Sequence, residues 1–277
     1  AVAEARAGDT VLVGPGTYPG FATARSGRPD SPVRIVGSAA VIRGDGDGRL
    51  VEVNHDHITI EGFEIARADI LVWVFQATGV RIVNNVLRDA AGECLRVKYF
   101  STGNEVAGNR IERCGRDFDA EDDEKNGEGV YIGTSPEQVH RNPTGEPDAS
   151  NDNWVHDNVI TSPAECVDIK EGASSNLVEH NHCSGGDDPD GAGFSARGNG
   201  NVFRANTSTG NEGAGIRLGG DTDADGLDNV VVGNRLTGNE GYGVKVQREP
   251  QRQICGNEVA DNDEAPTNNG ADPTVPC

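Results

Sequence analysis

One pattern recurs along the chain: a small or polar residue, Asn, any residue, Val or Phe, two further residues, and a second Asn. Full copies lie at 103–109, 152–158, 175–181, 200–206 and 228–234. Looser copies place the second anchor at Gly14, Gly37, Gly62, Asn85 and Asn257, so successive anchors are 23, 25, 23, 24, 49, 23, 25, 28 and 23 residues apart. A unit of roughly 23–28 residues cannot bury an apolar face alone, whereas stacked units share one core and pair their strand edges. Alternation such as Val80, Arg81, Ile82, Val83 is strand-like, and no helical period of ankyrin or TPR type runs through the repeats. The expected fold is therefore all-β: a single-stranded right-handed parallel β-helix (solenoid) of about ten coils, forming one domain over 1–277. Asn at a fixed turn tolerates left-handed backbone, and its amide can bond along a ladder. The double gap contains a polar segment at about 134–151, rich in Pro, Asn and Asp, expected to be a loop leaving one coil. Residues 1–7 are expected to form a short N-terminal helical cap over the first strand edge.

Composition agrees with a glycine-turned solenoid: 38 Gly, no Met and few aromatic residues. A net charge of −21 argues against nucleic acid and anionic membranes as partners. No apolar run reaches the length of a membrane span, and no signal peptide is visible. The chain begins with Ala, which reads as a mature product, expected to be a secreted, extracellular monomer. Six cysteines fit an oxidising compartment. Fifteen pairings are possible, and local ones (94–114, 166–183, 255–277) are expected.

A second strand aligns between the anchors, at 93–98, 128–133, 165–170, 192–197, 214–219 and 242–247. Its third and fifth positions are almost all apolar and face inward, so the fourth and sixth face outward. The outward columns read Arg96, Tyr131, Asp168, Ser195, Arg217, Lys245 and Lys98, Gly133, Lys170, Arg197, Gly219, Gln247. Half of these are Lys or Arg, a basic stripe on an acidic protein. Such a face suits an extended acidic polymer such as a uronic-acid polysaccharide, cleavable by β-elimination. That chemistry needs the uronate carboxylate neutralised, a base for the C5 proton and an acid for the departing O4. Lys170 serves as base only if partly neutral; Arg197 and Arg217 would lower its pKa and Asp168 would oppose them. Glu93, Glu128 and Glu165 share the first position, where Glu128 and Glu165 are either a cation site or turn residues facing water. Asp221, Asp223 and Asp225, before Gly226, match the first half of a Ca²⁺ loop, but its twelfth position is Val232, so an acidic turn is the alternative. The run 117–124 is expected to be a solvated loop, with the rim of the cleft as the alternative. His180 and His182 flank an anchor Asn on another face and are not read as metal ligands.

These residues resemble polysaccharide lyase family 6, the alginate lyase and chondroitinase B group. That family's Glu-x-x-Ser-x-Lys-Ser strand is similar to 165–171, and its following Leu-x-Leu-Arg-His-Gly to the stretch from Phe194 through Arg197 to Gly198. The intervening 175–181, the later run ending at Arg217 and the opening 7–18 also match. The resemblance implies Lys170 as Brønsted base, Arg197 as acid and Glu165 as a calcium ligand. Asp168 replaces the family's Ser, Glu171 follows Lys170, Gly198 replaces the His, and Pro163 stands near the place of a second glutamate. Tyr131, Asp168, Arg217, Lys98, Arg96 and Lys245 are the expected contacts to an acidic polysaccharide such as alginate. Glu165, Glu128, Asp221, Asp223 and Asp225 are the expected Ca²⁺ ligands. A C5-epimerase or glycoside hydrolase on the same scaffold, or a non-catalytic carbohydrate-binding β-helix, is the alternative.

Overall fold

The computed structural model describes residues 1–116 and 126–277, so the 117–124 run lies outside the described residues. The chain is an all-β parallel solenoid of about ten turns. Among the described residues the strands form one sheet of eighteen and one of nine, each strand pairing in parallel with its counterpart in the next coil. The inward residues of all coils merge into one column that includes Ile60, Leu87, Val106, Ile132, Ile169, Phe194 and Phe203. No helix among the described residues is long and apolar enough to cross a membrane. The N-terminal cap is a three-residue 3-10 turn, Val2–Glu4, shorter than the helix the sequence suggested.

The repeated Asn residues are buried and form amide ladders. Along one, the Oδ1 of Asn158 accepts from the backbone N–H of Asn109 at 2.9 Å and from its side-chain amide at 3.0 Å. The same step repeats through Asn181, Asn206, Asn234 and Asn257. A parallel ladder runs through Asn104, Asn153, Asn176, Asn201 and Asn229. A third, not foreseen, links Asn211, Asn239 and Asn262. The left-handed residue is not the Asn but the one before it: Asp152, Ser175, Gly200 and Asp228 before the first Asn, and Asp157, His180, Ala205 and Gly233 before the second, all have positive φ. That explains the small or polar residue in the repeat, and it accounts for His180 as a turn residue.

Across the 49-residue gap, Val106 pairs directly with Val155 and Ile111 with Ile160. The extra chain therefore belongs to one coil. Within it Pro136–Arg141 is a 3-10 segment. Asp148 fastens this excursion. Its fully buried carboxylate accepts from the backbone N–H groups of Tyr99 (2.6 Å) and Phe100 (2.8 Å) and from the hydroxyls of Thr134 (2.6 Å) and Ser150 (2.8 Å). Tyr99 and Phe100 are consecutive left-handed residues, held there by this one side chain. Asp148→Ala is expected to lower unfolding free energy by roughly 3 kcal/mol, since buried donors left unpaired cost about 1–3 kcal/mol each and partly relax. Urea denaturation measures it, and an unchanged midpoint would remove Asp148 from this role.

The disulfides are Cys94–Cys114, Cys166–Cys183 and Cys255–Cys277, the local set expected. Two of them adjoin Glu93 and Glu165, so they tie down the starts of the strands that carry these carboxylates.

Candidate active site

The nine-stranded sheet places the outward residues in the expected register. Arg96 pairs with Tyr131, Tyr131 with Asp168, Asp168 with Ser195, Ser195 with Arg217 and Arg217 with Lys245. Lys170 and Arg197 follow Ile169 and Ala196, which are also paired, so they sit on adjacent rungs.

The face is nevertheless not a bare basic stripe, because carboxylates fold over it from both edges. Arg96 is ion-paired with Glu93, Lys170 with Asp168, and Arg197 with Asp221. Lys170 Nζ also lies 3.7 Å from Glu128, Arg197 Nε donates to Glu171 at 2.5 Å, and Arg217 donates to Glu165 at 2.9 Å. Asp168, Tyr131 and Ser195 point outward as expected yet are covered. Arg96 and Lys170 each lie 4.6 Å from the Tyr131 ring on this face, and Arg217 donates to Ser195 Oγ at 3.0 Å. The Tyr131 hydroxyl oxygen accepts from the Ser135 N–H at 3.2 Å.

Glu128, Glu165 and Asp168 converge, with one oxygen of each within 4.8 Å of the others. Asp168 is 1% exposed, and its Oδ1 has no hydrogen-bond partner. Burial pushes the Glu128 carboxyl up to about 8, with repulsion from Glu93, Glu165 and Asp168 adding to it and Lys170 opposing. Glu165 is raised likewise by burial and by Asp168. Burial would also raise Asp168, but the attraction of Lys170, Arg197 and Arg217 outweighs it and holds Asp168 low. For Lys170 the balance runs opposite to the lowering that Arg197 and Arg217 were expected to produce. Burial disfavours its charge, yet Asp168, Tyr131, Glu128 and Glu165 together hold the ammonium above its ordinary range. Arg197 is similarly raised against its burial by Asp168, Glu171 and Asp221.

The half calcium loop does not assemble. Asp221 turns to Arg197, Asp225 accepts from the Thr222 N–H at 3.2 Å and its hydroxyl at 2.6 Å, and Asp223 lies 3.6 Å from Arg248. The turn closes on itself, and among the described residues these three form no common ligand group. Lys245 lies at the far end of the face, beside a cavity of about 420 Å³ lined by Glu212, Glu240, Asp263 and Glu264, so that end is acidic. Asp168 was legible as part of the column, but its partnership with Glu128 and Glu165 was not. The signal was there in Asp168 and Lys170 sharing one face two residues apart. Glu171 and Asp221 reach Arg197 from turns, which strand alternation does not describe.

A family model described as "Periplasmic copper-binding protein (NosD)" matches residues 122–271, more than half of the chain. No curated protein sequence matches this one. Among solved structures, an alginate lyase from Paenibacillus sp. str. FPU-7 is 20% identical with a TM-score of 0.77, over 94% of this chain and 93% of that one. A mannuronic acid specific polysaccharide family 6 lyase from human gut microbiota is 14% identical with a TM-score of 0.57, over 88% of this chain and 62% of that one. The periplasmic alginate epimerase AlgG is 10% identical with a TM-score of 0.63, over 95% and 61%. These likenesses establish a shared parallel β-helix fold, the fold of the family that the Lys170 and Arg197 segments resemble.

Proposed function

This chain belongs to the family described as periplasmic copper-binding protein (NosD), and on its solenoid face we propose a polysaccharide-acting enzyme, a lyase that cleaves a uronic-acid polymer by β-elimination. The observation that carries this reading is the Lys170 ammonium, set against Asp168, Glu128 and the Tyr131 ring, with Arg197 and Arg217 on the next rungs. Lys170 exchanges the proton. Once its ammonium has released a proton to solvent, the neutral amine takes the C5 proton, the C5–H electron pair forms the C4–C5 double bond as the C4–O4 bond breaks, and O4 leaves with that proton returned by the lysine. Arg197 is held too firmly charged by Glu171 and Asp221 to give up a proton readily, so it acts as a fixed cation for the developing negative charge. Arg217 does the same beside it, and Tyr131 positions the lysine.

The family's name raises copper, and the donors among the described residues do not fit it. There is no Met, all six cysteines are in disulfides, and no His joins a group of three possible ligands among the described residues. The three converging carboxylates, with the unpartnered Asp168 Oδ1, instead fit a hard cation such as Ca²⁺. Held by Glu128, Glu165 and Asp168, it would neutralise a substrate carboxylate and weaken the field that keeps Lys170 protonated. Three disulfides support a location in an oxidising compartment outside the cytosol.

The test is incubation with alginate, pectate, glucuronan and chondroitin while following the ultraviolet absorbance of the unsaturated uronate. One polymer is expected to give product, at a rate lowered by a calcium chelator and not by a copper-selective one. C5 proton exchange with solvent and no unsaturated product would replace the lyase by an epimerase. Binding with neither would leave a non-catalytic carbohydrate-binding solenoid.

A further inference from the structure

Among the described residues four of the six cations on this face have a carboxylate partner; Lys98 and Lys245 have none, and of these two only Lys98 is buried. Among the described residues no carboxylate lies within ion-pairing distance of its ammonium, although the chain carries 45 acidic side chains against 24 basic ones. Lys98 is 4% exposed. It nonetheless faces away from the core, since Leu95 and Val97 beside it belong to the buried apolar column. A buried charge without a counter-ion is costly, which is why such groups are normally paired. The groups around it do not supply the pairing. Arg96, two residues away on the same face, and Arg49, stacked at 3.6 Å on the Trp73 ring that Lys98 approaches at 5.4 Å, are both like charges. The Glu93 carboxylate is engaged by Arg96, and the Asp148 carboxylate by four donors. Burial and the neighbouring Arg96 bring the Lys98 amine down to about 8, with Asp148 and Glu93 opposing and Arg49 adding to the fall, so it still carries charge near neutrality.

Position adds to charge. Lys98, Gly133 and Lys170 follow Val97, Ile132 and Ile169, which are paired in register, so they occupy one column on three successive rungs. The two lysines are thus separated by about 10 Å along the solenoid, two strand spacings. The rung between them carries no side chain. A methyl at Gly133 would crowd Ala173 Cβ at 3.2 Å and Lys170 Cβ at 3.4 Å, and its backbone is left-handed (φ 89°), so glycine keeps any side chain from standing between the two lysines. On the other side Lys98 is paired with Phe75, a partly exposed ring stacked between Trp73 (5.7 Å) and Tyr99 (5.3 Å). An aromatic ring beside a cation is the combination that holds a uronate, the ring against the sugar face and the cation on its carboxylate.

We propose that Lys98 and Phe75 form a second uronate subsite, displaced from Lys170 toward the N-terminal coils by about the length of a disaccharide. This rests on the polysaccharide reading and makes it more specific: the substrate carries carboxylates on both sugars that span Lys98 and Lys170, and it extends toward the N-terminal coils, away from the acidic end beside Lys245.

The test measures binding by calorimetry, separately from turnover, with uronate oligomers of increasing length on the full chain and on its Lys98→Met and Lys98→Arg variants. Oligomers long enough to span both lysines are expected to bind Lys98→Met roughly tenfold to a hundredfold more weakly, the range for a hydrogen bond to a charged group. The disaccharide is expected to lose far less, and Lys98→Arg to recover most of the affinity. The thermal midpoint of Lys98→Met is expected not to fall, because the change removes an unpaired buried charge. Long-oligomer binding indifferent to Lys98→Met overturns the subsite, and continued formation of unsaturated product would leave the lyase reading standing. Length-dependent, Lys98-dependent binding without product from any polymer does the reverse. Equal binding of acetate or phosphate, with no dependence on length, overturns the subsite in favour of a small-anion site.

Discussion

Lys170→Arg is expected to fold like the parent protein and to lose roughly 10²–10⁴-fold in turnover, the range attached to one general acid–base group. The substitution separates two roles that Lys170 combines. Its charge compensates two carboxylates that are almost wholly buried, Asp168 and Glu128. An arginine keeps that charge, but its guanidinium does not give up a proton in a protein and so cannot carry hydrogen from C5 to O4. Lys170→Met removes both roles and is expected to cost about 3–5 kcal/mol in stability as well, the scale for stripping one partner from a buried ion pair. Urea denaturation and the rate of unsaturated-product formation, measured on both variants, separate the two. A Lys170→Arg protein that turns over at the parent rate would show that Lys170 supplies charge alone, and the proton chemistry would have to move elsewhere on the face.

Much of this arrangement is legible in the sequence. The column from Arg96 to Lys245 follows from a repeat of fixed length and from side chains that alternate along a strand, and the observed register agrees with it residue by residue. The three local disulfides also came out as expected. What alternation does not contain is the reach of side chains from outside the strand. Glu93 precedes its strand, Glu171 follows Lys170 into the turn, and Asp221 belongs to a loop two coils from Lys170. All three end on arginines of the face. The sign of the field at Lys170 therefore depended on turn geometry, which the repeat does not set. The same limit applies to Asp148, whose four bonds join segments on either side of the coil's long excursion. It applies again to the left-handed turn position, where the repeat marks both a small residue and an Asn but not which of the two bends the chain.

The largest stability effect is expected at the middle of the Asn ladder. Asn158→Ala would leave the backbone N–H and side-chain amide of Asn109 without the Asn158 acceptor, and would take the side-chain donor from the carbonyls of Val106 and His156, the latter keeping only the Gly108 N–H at 3.2 Å. It would also break the amide bond to Asn181 at 2.9 Å. These groups lie inside the solenoid, where water cannot replace the lost partner without opening the turn. At about 1–3 kcal/mol for each group left unsatisfied, with part of that recovered by relaxation, the expected loss is roughly 3–6 kcal/mol. Asn262, at the end of its ladder and only part-buried, provides the comparison. Its Oδ1 accepts from Asn239, and its amide donates to the Leu236 carbonyl. Asn262→Ala is expected to cost about 1 kcal/mol, because solvent can take over more of its bonds. The position of Asn158 should also change the form of the transition. A solenoid is stabilised by each coil and by its contact with the next, so weakening a central interface separates the two halves energetically. Urea unfolding of Asn158→Ala should broaden or split, while that of Asn262→Ala should shift as a single step. Equal losses at the two sites would mean that the ladder merely decorates a solenoid already held together by its apolar column.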